Sequence, residues 1–242
     1  MTSVSIVIPM RNEADNIAPL VAGIAAACAD LPAHEIIVVD DGSTDATAAQ
    51  TTDLMASYPA LRLVRHDRSG GQSSAVHSGV LAATADIICT LDGDGQNPPG
   101  ELPKLFTPLL ADATGTLGLV AGQRVARQDR LSKRAASRFA NAIRAWFLKD
   151  GTRDTGCGLK GFRRDAFLRL PYFDHMHRYL PALFKRDGWR IELVDVSHRE
   201  RHAGRSNYNN LQRGLVGIYD LIGVAWLIRR RKKATPLTES AQ

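Results

Sequence analysis

The sequence predicts an α/β fold, a mostly parallel sheet with flanking helices. Three observations carry that prediction. Short apolar strands alternate with segments of helical period over residues 4–122. One strand, Glu35-Ile-Ile-Val-Val39, is a near-continuous apolar run, as expected of a parallel strand covered on both faces. Four successive strands end in acidic or glycine-bearing turns.

Val4-Ser-Ile-Val-Ile-Pro9 reads as the first strand, bounded by Pro9, with a helix opening near Asn12. Ile17, Leu20, Val21, Ile24 and Cys28 then recur at helical spacing. The strand at Glu35–Val39 is followed by a helix from about Thr44 to Ser57 and a strand Leu61–Arg65. A helix over Gln72–Ala83 leads to a strand Ile87–Leu91 that terminates in Asp92. A helix near Glu101–Leu110 and a strand Leu117–Gly122 complete the first half. Residues 124–149 form a basic stretch with Leu131, Ala135, Phe139, Ile143 and Phe147 at helical spacing. The glycine-rich segment Asp154–Gly161 reads as a loop. Helices near Arg164–Leu170 and His177–Arg186, a strand Ile191–Val196 and an apolar helix Leu211–Ile228 follow.

Charge divides the chain. Its 242 residues carry +6 in total, but residues 1–120 hold 5 basic and 14 acidic side chains, and residues 121–242 hold 26 and 11. Such polarisation implies different partners for the two halves. Cys28, Cys89 and Cys157 form no CxxC pair, which argues against a disulfide framework or zinc site. The N-terminus lacks a basic n-region, so no signal peptide is predicted, and no stretch reaches the roughly 20 apolar residues of a membrane span. A cytoplasmic protein is expected. The absence of GxGxxG and GxxxxGK[ST] leaves dinucleotide redox and P-loop chemistry unsupported, and no nucleic-acid motif appears.

The four strand tips are Pro9–Glu13, Asp40–Asp45, His66–Gly71 and Asp92–Gln96. In a parallel α/β sheet these carboxyl ends share one rim, where ligands bind. Asp92 and Asp94 lie two apart with glycines beside Asp94, so both carboxylates can face one hard cation, Mg²⁺ or Mn²⁺, shared with a diphosphate. A calcium loop is excluded by Gln96, Pro98 and Pro103. Asp40 can accept hydrogen bonds from a base or ribose, while Ser43 or Thr44 can cap the next helix. Gly70-Gly71 reads either as a phosphate-approaching turn or as a plain loop. Arg124 follows the fifth strand onto the same rim, and Arg201–Arg205 offers guanidinium groups suited to phosphate oxygens.

Val4–Glu13, Ile36–Asp45 and Leu91-Asp-Gly-Asp-Gly-Gln-Asn-Pro98 resemble the family-2 inverting glycosyltransferases. The Asp-x-Asp-x-Gln-x-Pro pattern and Arg199–Tyr208 are similar to the dolichol- and polyprenyl-phosphate sugar (mannose) synthases, over roughly residues 3–228. The resemblance implies a GT-A fold and a GDP- or UDP-linked sugar donor. It implies nucleotide contacts at Pro9, Arg11, Glu13, Val38 and Asp40, and a metal held by Asp92, Asp94 and Gln96. Asp92, Asp94, Arg124 and Arg201 take catalytic roles by motif position; Gly93, Gln96, Arg138, Arg205, Ser206 and Asn207 join the substrate set. Arg11 stands where the family commonly has Tyr, and Asn207 where it often has Lys. The Gln-x-x-Arg-Trp motif of processive polysaccharide synthesis is absent.

A polyprenyl phosphate acceptor requires access to a bilayer. Leu211, Leu215, Ile218, Ile222 and Trp226 share one helical face, opposed by Arg213 and Asp220, and Arg229–Lys233 adds five positive charges. This pattern suits an interfacial helix on the anionic, cytoplasmic membrane face; a core helix, a homo-oligomer contact or a partner membrane protein are the alternatives. The expected organisation is a GT-A domain over residues 1–210, with a nucleotide-sugar and metal half (1–123) and an acceptor half (124–210), then an interfacial extension over 211–242.

Overall fold

The structure, a computed structural model, describes residues 3–125, 144, 147–148, 150–199, 210–231 and 234, with side chains from residue 217 onward in the last helix. Seven strands form one sheet in the order β3-β2-β1-β4-β6-β5-β7. They are β1 (Val4–Met10), β2 (His34–Asp40), β3 (Leu61–Arg65), β4 (Ile87–Thr90), β5 (Leu117–Arg124), β6 (Lys160–Arg163) and β7 (Arg190–Val196). The helices are α1 (Ala14–Ala27), α2 (Thr47–Met55), α3 (Gln72–Ala82), α4 (Pro103–Ala111), α5 (Arg164–Leu168), α6 (Leu180–Arg186) and α7 (Asn210–Arg229).

Strand alternation builds the layers. Ile6, Ile8 and Met10 of β1 and Ile36 and Val38 of β2 face a core completed by Ile17, Leu20 and Ile24 of α1 and Leu105 and Leu109 of α4. Val7, Ile37 and Val39 face the opposite core, filled by Val76 and Val80 of α3, Phe167 of α5 and Phe184 of α6. Two helical layers therefore sandwich the sheet, and both faces of its central strands are dry.

Two expectations need correction. Residues 160–163 are a strand, β6, which pairs antiparallel with both β4 and β5. One glycine between charged Lys160 and Arg163 conceals it in the sequence; pairing on both edges makes it a strand. Helix α2 begins at Thr47 rather than near Thr44. Ser43 and Thr44 are engaged elsewhere: the Asn12 N–H donates to Ser43 Oγ at 2.9 Å, and the Thr44 N–H donates to Asn12 Oδ1 at 2.8 Å. Asp45 then accepts from the Thr47 N–H at 2.9 Å and starts the helix.

The remaining strands are parallel to one another, so their carboxyl ends share one rim. The chain winds outward from β1 through β2 to β3, then crosses back to place β4 on the other side of β1. Because β6 runs against its neighbours, its first residue, Lys160, starts at the rim opposite Thr90.

Candidate active site

The reversal of winding at β1 and β4 opens a crevice at their carboxyl ends, where α/β sheets bind ligands. From β1 come partly buried Pro9, exposed Arg11 and partly buried Glu13. Their turn is tied to the β2 loop, since the Glu13 N–H donates to Thr47 Oγ1 at 3.0 Å and Asn12 adopts a left-handed φ of 55°. Glu13 also accepts from Asn16 Nδ2 at 2.6 Å.

The paired aspartates of β2 serve different ends. Asp40 is fully buried; its Oδ1 accepts from the Ser43 N–H at 3.0 Å. Its Oδ2 lies 3.5 Å from Arg65 Nε and has no hydrogen-bond partner among the described residues, an arrangement fit to receive a ligand donor. Asp41 organises the β3 loop by accepting from the Gly70 and Gly71 N–H groups at 2.8 and 2.9 Å, from Ser69 Oγ at 2.7 Å, and by contacting His66 Nδ1 at 2.7 Å. Burial would raise the Asp41 pKa, but these bonds outweigh it and lower the value. The amides of Gly70 and Gly71 are thus committed to Asp41 rather than to a phosphate. Gly42 between the loops has φ +69°, and a Cβ there would stand 2.7 Å from the Ser69 nitrogen. Val38, expected at the nucleotide, has a side chain wholly inside the α1-side core.

Asp92 follows β4 and is held from several sides. Gln72 Nε2 donates to its Oδ1 at 2.7 Å and Asn97 Nδ2 to its Oδ2 at 3.1 Å. Gly158 closes in behind, where a Cβ would come within 2.4 Å of the carboxylate. Burial, then the charge of Asp94, raises the Asp92 pKa against the opposing influence of Lys160. Asp94 accepts the Gln96 N–H at 3.1 Å, and buried Gly93 lies against Met10 and the Pro9 carbonyl. Below Asp92, a cavity of about 10 Å³ is lined by Gln72, Thr90, Lys160 and His177 among others. Lys160 is 5% exposed and donates from Nζ to the Cys157 carbonyl. Burial lowers its pKa, against the attraction of Asp92 and Asp154.

Arg124 stands at the end of β5, as the sequence predicts, but it is paired. Its Nη2 donates to Asp154 Oδ1 at 2.9 Å and its Nε to Oδ2. Burial opposes the Arg124 charge; the Asp154 carboxylate more than restores it and raises the pKa. Buried Gln123 fixes the partner loop by accepting from the Arg153 and Asp154 N–H groups at 2.9 and 3.0 Å. The Arg199 N–H donates to the Gln96 carbonyl at 2.9 Å, so the chain leaves the aspartate loop as it enters the basic segment. Arg138, Arg201, Arg205, Ser206 and Asn207 lie outside the described residues.

The rim thus brings together Pro9, Arg11, Glu13, Asp40, Asp92, Gly93, Asp94, Gln96 and Arg124. Sequence reasoning missed Gln72, Asn97, Asp154 and Lys160. Gly71 immediately before a helix was a usable signal for Gln72; nothing local marks the 30-residue separation of Arg124 and Asp154. Among the described residues, no group of three or more His, Cys, Asp or Glu side chains is arranged to hold a metal. Two carboxylates are the donor set for a cation that completes its shell with substrate phosphates, so Asp92 and Asp94 fit a shared divalent ion.

The profile of Glycosyl transferase family 2 matches residues 5–170. The chain belongs to that family. A dodecaprenyl-phosphate galacturonate synthase of Rhizobium johnstonii is 33% identical over 95% of this chain and 68% of its own length. An undecaprenyl-phosphate 4-deoxy-4-formamido-L-arabinose transferase of Sodalis glossinidius is 35% identical over 90% of this chain and 66% of its own length. The chain therefore spans about two thirds of these family members. The crystal structure of the Mycobacterium tuberculosis glucosyl-3-phosphoglycerate synthase with Mn²⁺, UDP-glucose and phosphoglyceric acid superposes with a TM-score of 0.68 at 22% identity, over 98% of this chain and 84% of that one. The family-2 chain has the GT-A fold.

Proposed function

We propose that this family-2 chain transfers a sugar from a GDP- or UDP-linked donor to a polyprenyl phosphate at the cytoplasmic face of a membrane, with inversion at the anomeric carbon. The observation that carries the reading is the Asp92–Asp94 pair set in the crevice between β1 and β4, with the half-satisfied carboxylate of Asp40 at the tip of the next strand, β2. The names of the two relatives, both polyprenyl-phosphate enzymes, support the acceptor class.

Asp40, with Pro9, Arg11 and Glu13, would receive the nucleoside. Asp92, Asp94 and Gln96 would hold Mg²⁺ or Mn²⁺, which when bound neutralises charge on a leaving diphosphate. An acceptor phosphate oxygen is already anionic and needs no strong general base. It attacks the anomeric carbon, a new C–O bond forms, and the bond to the nucleoside diphosphate breaks on the opposite side. Arg124, oriented by Asp154, and Arg138, Arg201 and Arg205 would hold two phosphate groups that repel each other, with Ser206 and Asn207 beside them.

Helix α7 supports access to the lipid. Leu221, Val224 and Ile228 pack on the α3-side core, and Asp220 lies 3.3 Å from His175. Ile218, Tyr219, Ile222 and Trp226 project outward at 60, 81, 63 and 58% exposure, continuous with Arg229–Arg231. Tyr219 joins the expected face, of which the side chains of Leu211 and Leu215, with the opposed Arg213, lie outside the described residues, while Leu221, Val224 and Ile228 form the side that docks on the domain. Among the described residues, no helix is long and apolar enough to cross a membrane.

The test is a panel of GDP- and UDP-sugars offered with polyprenyl phosphate in anionic vesicles. Metal-dependent formation of a sugar–phosphate lipid of inverted configuration is expected. Retention of configuration, or transfer only to a water-soluble acceptor, overturns the reading.

A further inference from the structure

Asp92 bears on its surroundings in a way the reaction alone does not require. A carboxylate at a strand tip has free rotation about two side-chain bonds, and one that is to share a cation with a diphosphate gains affinity if its orientation is already fixed. Here both oxygens are engaged by neutral amide donors. Asn97, 1% exposed, belongs to the same loop and holds Oδ2. Gln72 comes from elsewhere, from the first turn of α3, and holds Oδ1 at 2.7 Å.

The position of Gln72 is itself set from the other side of the crevice. It directly follows Gly70 and Gly71, whose N–H groups are fastened to Asp41. Asp41 is the neighbour of Asp40, the carboxylate offered to the nucleoside. Hydrogen bonds from Asp41 to Gly70 and Gly71, the peptide link to Gln72 and its bond to Asp92 therefore connect the β2 tip through the β3 loop to the β4 tip. Gln72 is exposed and at a helix start, so packing does not demand a long amide there.

We infer that Gln72 is a positioning residue: through its bond to Asp92 Oδ1 it sets the affinity of the metal-bound nucleoside diphosphate without touching either ligand. This rests on the donor site proposed above. Hydrogen-bond partners of metal-ligating carboxylates are worth about 10- to 100-fold in metal affinity.

The experiment compares the wild type with Gln72→Met, which keeps the length but removes the donor, and Gln72→Ala. Binding of GDP and of UDP is measured by calorimetry with Mn²⁺ and with chelator, and thermal unfolding is followed alongside. The expected result is a weakening of about tenfold in Mn²⁺-dependent diphosphate binding for both variants. Metal-free binding and the unfolding midpoint stay at the wild-type values. Unchanged Mn²⁺-dependent binding overturns the inference. A loss confined to nucleotide sugars, with the diphosphates unaffected, also overturns it and makes Gln72 a direct sugar contact. A wild type that binds neither diphosphate with Mn²⁺ fails the donor reading itself, and the inference with it.

Discussion

The two halves of the sheet hold their charges in opposite ways. Around β1–β4, carboxylates are held chiefly by N–H and O–H groups: Asp41 by Ser69, Gly70 and Gly71, Asp45 by Thr47, Asp92 by Gln72 and Asn97. Around β5–β7, arginines are held by carboxylates: Arg124 by Asp154, Arg144 by Asp150, Arg163 by Asp112, Arg153 by Asp195. Neutral donors fix a carboxylate without cancelling its charge; a carboxylate partner fixes an arginine and cancels it. Apart from Asp40 beside Arg65 and Glu35 beside Arg62, these first-half carboxylates therefore keep their charge. Much of the described basic excess of the second half is internally neutralised. Arg124 keeps its place at the rim through this pairing, and the sequence adds further basic residues at Arg201–Arg205 and after Arg229.

The strongest way to break this comparison is to cancel a rim charge. Asp94→Asn should lower transfer by about 1000-fold, the upper range for loss of a single group that stabilises transition-state charge. Steady-state transfer at saturating Mn²⁺ measures it. Full activity would mean that the acidic rim is a surface feature and that the contrast between the halves has no catalytic content.

A second test asks what one buried carboxylate, held by neutral donors and by Arg62, contributes to folding. Buried Glu35 accepts from Ser5 Oγ at 2.6 Å and from the Thr84 N–H at 2.6 Å, and meets Arg62 at 2.7 Å. Burial pushes its pKa up, but these partners prevail and hold it at about 2, against an ordinary 4.5. Depression of a carboxylate pKa stabilises the folded state above the unfolded value. That contribution is complete above about pH 4.5 and is lost as pH falls toward 2. At neutral pH it amounts to about 3 kcal/mol. Glu35→Gln should lose a stability of that order at pH 7, and the gap to wild type should narrow through pH 4.5 to 2 in urea unfolding. A gap independent of pH would show that shape, not charge, is what Glu35 supplies.

The same contrast explains what was legible in the sequence. Strands β1, β2, β4 and β5 announce themselves because each buries both faces, and a run such as Glu35–Val39 has few other uses; the edge strand β3, buried only at Leu61, is read from its alternation. Asp92 and Asp94 are legible because their spacing and flanking glycines suit a shared cation. β6 is hidden because its strand character comes from two neighbours rather than from its own residues. Arg124 is placed correctly but its neutralising partner is not, since Asp154 meets it only through the fold. The Gln72–Asp92 bond likewise joins two rims of the crevice across 20 residues. Local pattern reveals elements and ligands; it does not reveal which charges are already answered.

The smallest expected effect concerns α7, where the comparison predicts free positive charge beside apolar surface. Truncating the helix is a poor test, because Val224 is fully buried in the core and its loss would damage the domain. Trp226→Glu is cleaner, since that side chain is 58% exposed. Withdrawing one large apolar group from a lipid interface and adding a negative charge should weaken binding to anionic vesicles by about tenfold. The unfolding midpoint and diphosphate binding should not move. Sedimentation with vesicles measures the first quantity, and raised salt separates the contributions: the part due to Arg229–Arg231 screens away, whereas the part due to Trp226 persists. If Trp226→Glu leaves vesicle binding intact while altering the sedimentation of the protein alone, the exposed face meets a second copy of the chain, and the positive charge beside it serves assembly rather than lipid.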